Sequence, residues 1–131
     1  MKIYLAATYS RHPEMREVRS TLESLGHIVT GRWINGNHEV TNKSYDRQGE
    51  IFAIEDYEDL VASELVISFT EEPRSTSGRG RGGRHVEFGI ALALNKSLVV
   101  IGHRENVFHY LPQVQFFPSF ELYVTQLVME S

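Results

Sequence analysis

A carboxylate set beneath an arginine-rich loop is the place where this sequence could do chemistry. The stretch from Glu71 to Lys96 reads EEPRSTSGRGRGGRHVEFGIALALNK. Its first half carries Pro73, Gly78, Gly80, Gly82, Gly83, Arg74, Arg79, Arg81 and Arg84, a composition that cannot pack into a core. From about Gly83 it reads as a helix, with Val86, Ile90, Ala91 and Leu94 at helical spacing and Lys96-Ser97 marking the exit into a strand. Glycines feeding a helix N-terminus offer backbone N–H groups and a positive dipole end to an anion. Guanidinium forks suit a phosphate or carboxylate. Glu87 stands in the first turn at i+3, i+4 and i+7 from Ile90, Ala91 and Leu94, on the apolar side. It reads either as an ordinary complement to the helix dipole or as a perturbed, functional carboxylate. A second acid, Asp56, falls on a helical stripe between Phe52 and Leu60, as a core-edge acid or as part of the same site.

The surrounding elements must position these groups. Lys2–Ala7 is a short apolar run fit for a buried parallel strand. A loop, Thr8–Pro13, holds Ser10 and Arg11; Met15, Val18, Leu22 and Leu25 then form a helical stripe stopped by Gly26. His27–Trp33 reads as a second strand, followed by a long polar loop over Ile34–Tyr45. A second helix begins at Asp46 or Arg47, with Ile51, Ile54, Leu60 and Val61 apolar, and runs to about Ser63. Leu65–Phe69 and Ser97–Gly102 are strands, Glu105–Leu111 a helical turn, Val114–Phe117 a fifth strand and Phe120–Met129 a closing helix. Alternation of this kind gives one α/β domain with a parallel five-stranded sheet in the flavodoxin-like order 2-1-3-4-5. Ligands of such sheets bind beyond the carboxyl ends of strands 1 and 3. Ser10, Arg11, the Gly/Arg loop and Glu87 should therefore meet at one crevice. Tyr4 on the first strand is either core or turned toward that crevice, and Trp33 either packs or stacks on a planar ligand.

The 131 residues suit a single domain, and a net charge of -4 makes the arginine loop a local basic patch on an acidic chain. That favours one small anion over a nucleic-acid polymer. With no cysteine there is no disulfide framework, thiolate metal site or Cys nucleophile. No secretory signal or membrane span is visible, which sets the expectation of a cytoplasmic protein. His85 and Glu87 make an H-x-E, but the P-C-x-x-C of zinc deaminases is missing, so no metal is expected. No Lys-Ser/Thr follows the glycines, which rejects a nucleotide-hydrolysing P-loop. The G-x-G follows strand 3, not strand 1, and makes a weak dinucleotide fingerprint. Phe69-Thr70 stand where a phosphoacceptor receiver would carry an acid.

Taken together, KIYLAA at the start, the helical Asp56 before strand 3, and GGRHVEFGIALALNKSLVVIG resemble the nucleoside 2-deoxyribosyltransferase family, which includes the 2′-deoxynucleoside 5′-monophosphate N-glycosidases. The specific part is the E-x-G-x-A pattern, here Glu87-Phe88-Gly89-Ile90-Ala91, with Asn95-Lys96 after it. The resemblance spans most of the chain in the same element order. It implies that Glu87 is the nucleophile attacking C1′ of the sugar and forming a covalent glycosyl-enzyme. It implies that Asp56 holds the sugar or assists proton transfer to the departing base, and that Tyr4 hydrogen-bonds the nucleophile. The chemistry is coherent: glycosidic cleavage passes through an oxocarbenium-like state that a carboxylate can stabilise and trap. The helix dipole is expected to help keep Glu87 ionised. No cofactor is implied.

The sequence departs from the family six positions before the nucleophile. Transferases acting on free nucleosides carry Asp there and the monophosphate hydrolases Ser; this chain has Arg81. An arginine beside the 5′ position favours a phosphate over a bare hydroxyl. Arg11, Ser77, Arg79 and Arg81 are the candidate phosphate ligands, with Ser10, Gly83 and Trp33 lining the rest of the site. In this family a neighbouring subunit often completes the site after strand 4, which implies a homo-oligomer and points to Asn106–Tyr110, chiefly Asn106 and His109. Two rivals stand beside the enzyme: a non-catalytic binder of a nucleotide or nucleotide-derived signal, and a protein-interaction domain whose loop orders on a partner. The carboxylate pair separates them, since a binder has no need of both Glu87 and Asp56.

Overall fold

The computed structural model describes residues 1–38, 45–72 and 82–131. Strands β1 (Lys2–Ala6), β2 (Ile28–Val29), β3 (Leu65–Phe69), β4 (Ser97–Ile101) and β5 (Val114–Phe117) form one parallel sheet in the order β2-β1-β3-β4-β5. This is the flavodoxin-like order expected from the alternation of elements. Around it lie α1 (His12–Ser24), α2 (Tyr45–Val61), α3 (Gly83–Ala93) and α4 (Phe120–Glu130). Among the described residues, 3₁₀ turns cover 9–11, 32–35 and 107–110.

Strand register decides which side chains can reach the site. Tyr4 pairs with Val66 and Ala6 with Ser68, which pair in turn with Leu98 and Val100. These residues share a face because side chains alternate along a strand. That face is covered by α3, with α2 beside it. The opposite face packs against α4 through Phe69–Phe120 and Phe117–Tyr123. Right-handed crossovers place α1 there as well. Beyond the exposed leading Lys2 and Ser97 the central strands are buried, so β1, β3 and β4 read as near-continuous apolar runs.

Three expectations are corrected. The second strand shrinks to two residues, because Arg32 pulls the chain out of the sheet into the 32–35 turn. In α3 the inward stripe is 84, 87, 88 and 91, rotated by about one residue from the apolar pattern. Val86 and Leu94 are 63% and 47% exposed, while Phe88 and Ala91 are buried. The larger Phe88 ring and the polar anchors at Arg84 and Glu87 decide that rotation. On α2 the same holds: Leu60 is buried, whereas Ile51, Ile54 and Val61 are exposed.

Candidate active site

Glu87 is the fifth residue of α3, and Tyr4 on the neighbouring central strand donates its hydroxyl hydrogen to Glu87 Oε2. Gly82, at φ 86°, opens the helix in a left-handed conformation that favours glycine. Burial pushes the Glu87 carboxyl up to about 8; the Tyr4 hydrogen bond opposes this and the nearby charge of Asp56 adds to it. Burial thus favours the protonated form, against the expectation that the helix dipole helps keep Glu87 ionised. Tyr4 is itself raised well above the ordinary phenol by burial and then by Glu87 and Asp56, so it remains a donor.

Asp56 is the second perturbed acid. Burial raises it to about 7, aided by Asp59 and Glu55 and opposed by Arg32. Two acids that influence each other, both displaced toward neutrality, form the pattern that acid–base sites exploit. Arg32 organises their surroundings. Its backbone N–H donates to Asp59 Oδ2 at 2.8 Å, and its Nε lies 3.1 Å from both Asp59 oxygens. Its other nitrogens reach Glu58 at 3.2 Å and Glu55 at 3.8 Å. His38 completes the group, stacked on Phe52 with ring centroids 4.4 Å apart. Arg32, His38 and Asp59 were not singled out from sequence. An arginine 27 residues before its acid carries no pattern until the 32–35 turn meets α2.

Just past the end of β3, Arg11 is already engaged. It forks onto Glu14 at 2.9 and 2.7 Å, donates to the Thr70 carbonyl at 3.2 Å and lies 3.7 Å from Glu71. Ser10 is exposed on the 9–11 turn, and Gly83 is exposed at the first position of α3. Two hydroxyls missed by sequence reading sit at the strand ends. Thr8 Oγ1 and Ser68 Oγ are buried without a hydrogen-bond partner, and Ser68 shares the Tyr4 face of the sheet. Trp33 is a wall rather than an open stacking platform: it is 5% exposed and its indole N–H donates to the Leu5 carbonyl at 2.9 Å. Ser77, Arg79 and Arg81 lie outside the described residues.

The far side of α3's first turn is tied to the 107–110 turn. Arg84 forks onto Glu105, whose second oxygen it meets at 2.8 Å. Burial works to raise Glu105, but the Arg84 hydrogen bonds and charge prevail and hold it below its usual range. His109 is 1% exposed, accepts the Glu105 backbone N–H at Nδ1 (2.9 Å) and packs edge-on against Phe88. Asn106 caps its own turn, accepting from Phe108 N at 3.0 Å. Within its own chain, then, His109 is packed inward rather than presented at the surface. The exposed members of that segment are Val107, Phe108 and Tyr110.

No protein-family model matches the chain, and no curated protein matches it in sequence. Among solved structures it is similar to a CMP N-glycosidase, BcmB, from Clostridium botulinum, with a TM-score of 0.59 and 20% identity over 100% of both chains. At that identity the likeness establishes a common fold.

Proposed function

We propose that the protein is a nucleotide N-glycosidase-type enzyme that breaks, or transfers, the N-glycosidic bond of a (deoxy)nucleoside or its 5′-monophosphate. The observation that carries the reading is the pair of perturbed carboxyls, Glu87 hydrogen-bonded by Tyr4 and raised by burial, and Asp56 raised by burial and by its acidic neighbours, on the α2/α3 side of the central strands. The similar fold is that of a protein named as a CMP N-glycosidase, which favours a nucleotide substrate.

Ionised Glu87 attacks C1′ as the bond to the base breaks. The bonding pair passes to the base nitrogen, which takes a proton from Asp56. A water or a second base then displaces Glu87 from C1′, and the proton released by that nucleophile returns to Asp56. Thr8 and Ser68 offer unused hydroxyls for the sugar. Arginine chemistry near the 5′ position, including Arg81, suits a phosphate.

The active species is a homodimer or higher oligomer in which Val107, Phe108 and Tyr110, at 74%, 57% and 66% exposed, face a neighbouring crevice. A rapid-quench mass measurement during turnover tests the chemistry. One sugar phosphate attached at Glu87 supports the covalent route; turnover with unmodified protein at every time point would replace it with direct attack by water. Adding a free base separates transfer, which yields a new nucleotide, from hydrolysis.

A further inference from the structure

The strongest unassigned feature outside the Glu87–Tyr4 contact is a buried imidazole facing two carboxylates. His38 has a side chain only 4% exposed, with Nε2 3.1 Å from Glu55 Oε1 and 3.3 Å from Asp56 Oδ1. Its Nδ1 lies 2.8 Å from the Asn37 side-chain oxygen, and Phe52 covers its ring. His38 Nε2 and Asp56 Oδ1 are both buried and neither has a hydrogen-bond partner, so the approach between them is a close polar contact without a formed hydrogen bond. A bare ring nitrogen against two carboxylate oxygens at these distances is repulsive. Whichever way the Asn37 amide is turned, a proton must lie between Nε2 and the acids.

We propose that His38 and Asp56 share one exchangeable proton between Nε2 and Oδ1, making His38 the positioning residue that keeps Asp56 able to donate. The exchange is balanced: the proton leaves Nε2 for Oδ1, turning imidazolium and carboxylate into imidazole and carboxylic acid, with no change in the total charge of the pair. Groups bearing on it are Glu55 and Asp59 on α2, Arg32 on the 32–35 turn, and Glu87 and Tyr4 across the crevice. Burial lowers His38 and raises Asp56, so both displacements move the proton toward the acid. A pair holding one proton over a broad span around neutrality titrates as a unit, not as two residues.

This rests on the N-glycosidase reading for its consequence but not for its existence, and the test separates them. Ring-nitrogen NMR of the full chain with isotopically labelled histidine, assigned with His38→Gln, follows His38 from acid to alkaline pH in wild type and in Asp56→Asn. A shared proton lowers the His38 midpoint in Asp56→Asn by about one unit or more; an identical titration in both proteins overturns the proposal, whether or not turnover is found. In turnover, His38→Gln moves the alkaline limb of kcat about one unit toward acid. Phe52→Leu, which loosens the stack without removing a proton site, leaves that limb in place. An alkaline limb that moves equally in both variants assigns His38 a packing role and overturns the proposal.

Discussion

Tyr4, in the middle of the central strand β1 and itself fully buried, donates its hydroxyl to Glu87, the one acid on the inward stripe of α3. The contact joins residues 83 apart in sequence. It fixes both the rotation of α3 and the orientation of the carboxylate, because a donor at the floor of the crevice stabilises the charged form. Removing it tests both roles. Tyr4→Phe is expected to raise Glu87 further above about 8, by roughly one to two units for a lost hydrogen bond to a charged group. The acid limb of kcat moves up with it. Carboxyl NMR and a pH–rate profile check the two halves.

The wild-type pH profile should be a narrow bell. Attack needs Glu87 ionised, which is favoured above about 8, and donation needs Asp56 protonated, which is favoured below about 7. The productive form is therefore a minority with its maximum between these values. Because the acids interact, the limbs report the pair. A flat profile from about pH 5 to about pH 10 is inconsistent with this assignment.

Glu87 also costs stability at high pH. Its folded-state value is raised above the unfolded one, so the protonated form suits the fold. The contribution is fully present below about 4.5 and is lost as pH rises through about 8. Glu87→Gln keeps an acceptor for Tyr4 and removes the charge. It should be more stable than wild type by about 2 kcal/mol at alkaline pH, a value discounted for partial exposure, and nearly equal in acid. Thermal unfolding at both ends of that range measures it.

The Arg84–Glu105 fork runs the opposite way. Glu105 is lowered in the fold, so its contribution is present above its unfolded value and disappears as pH falls through the folded one. Both side chains are largely buried, at 11% and 16% exposed. Glu105→Gln leaves Arg84 without its partner and should cost about 3 kcal/mol near neutrality, narrowing in acid. A loss independent of pH would assign the effect to packing.

Gly102 ties the same region together from the backbone. It sits at φ 115°, and a Cβ there would come within 2.8 Å of Thr70 Oγ1. That hydroxyl donates to the Ile101 carbonyl at 3.1 Å and accepts the His103 N–H at 2.6 Å. Gly102→Ala should cost about 2 kcal/mol, from backbone strain and the displaced hydroxyl. Chemical denaturation gives the value directly.

The sheet order was legible because β1, β3 and β4 are near-continuous apolar runs separated by helical stripes and glycine stops. Glu87 was legible as an acid on an apolar stripe, and Asp56 for the same reason. The rotation of α3 was not, since Val86, Ile90 and Leu94 look like a core stripe until Phe88 and the polar anchors compete for the sheet. The Arg32–Asp59 and His38–Asp56 contacts were invisible because they join a short irregular segment to a helix that begins later in the chain. Long-range polar pairs of that kind leave no period in a sequence. The inward turn of His109 was hidden likewise, being set by one backbone N–H of its own turn.

Base release from nucleotides tests the central claim most directly. The protein is incubated with a panel of nucleosides and 5′-monophosphates, and the free base is followed by chromatography, with Glu87→Gln alongside. The account predicts base release from at least one monophosphate, lost in Glu87→Gln while ligand binding is retained. No turnover of any substrate, with a nucleotide bound equally by both proteins, would contradict it and leave a binding protein on the same fold.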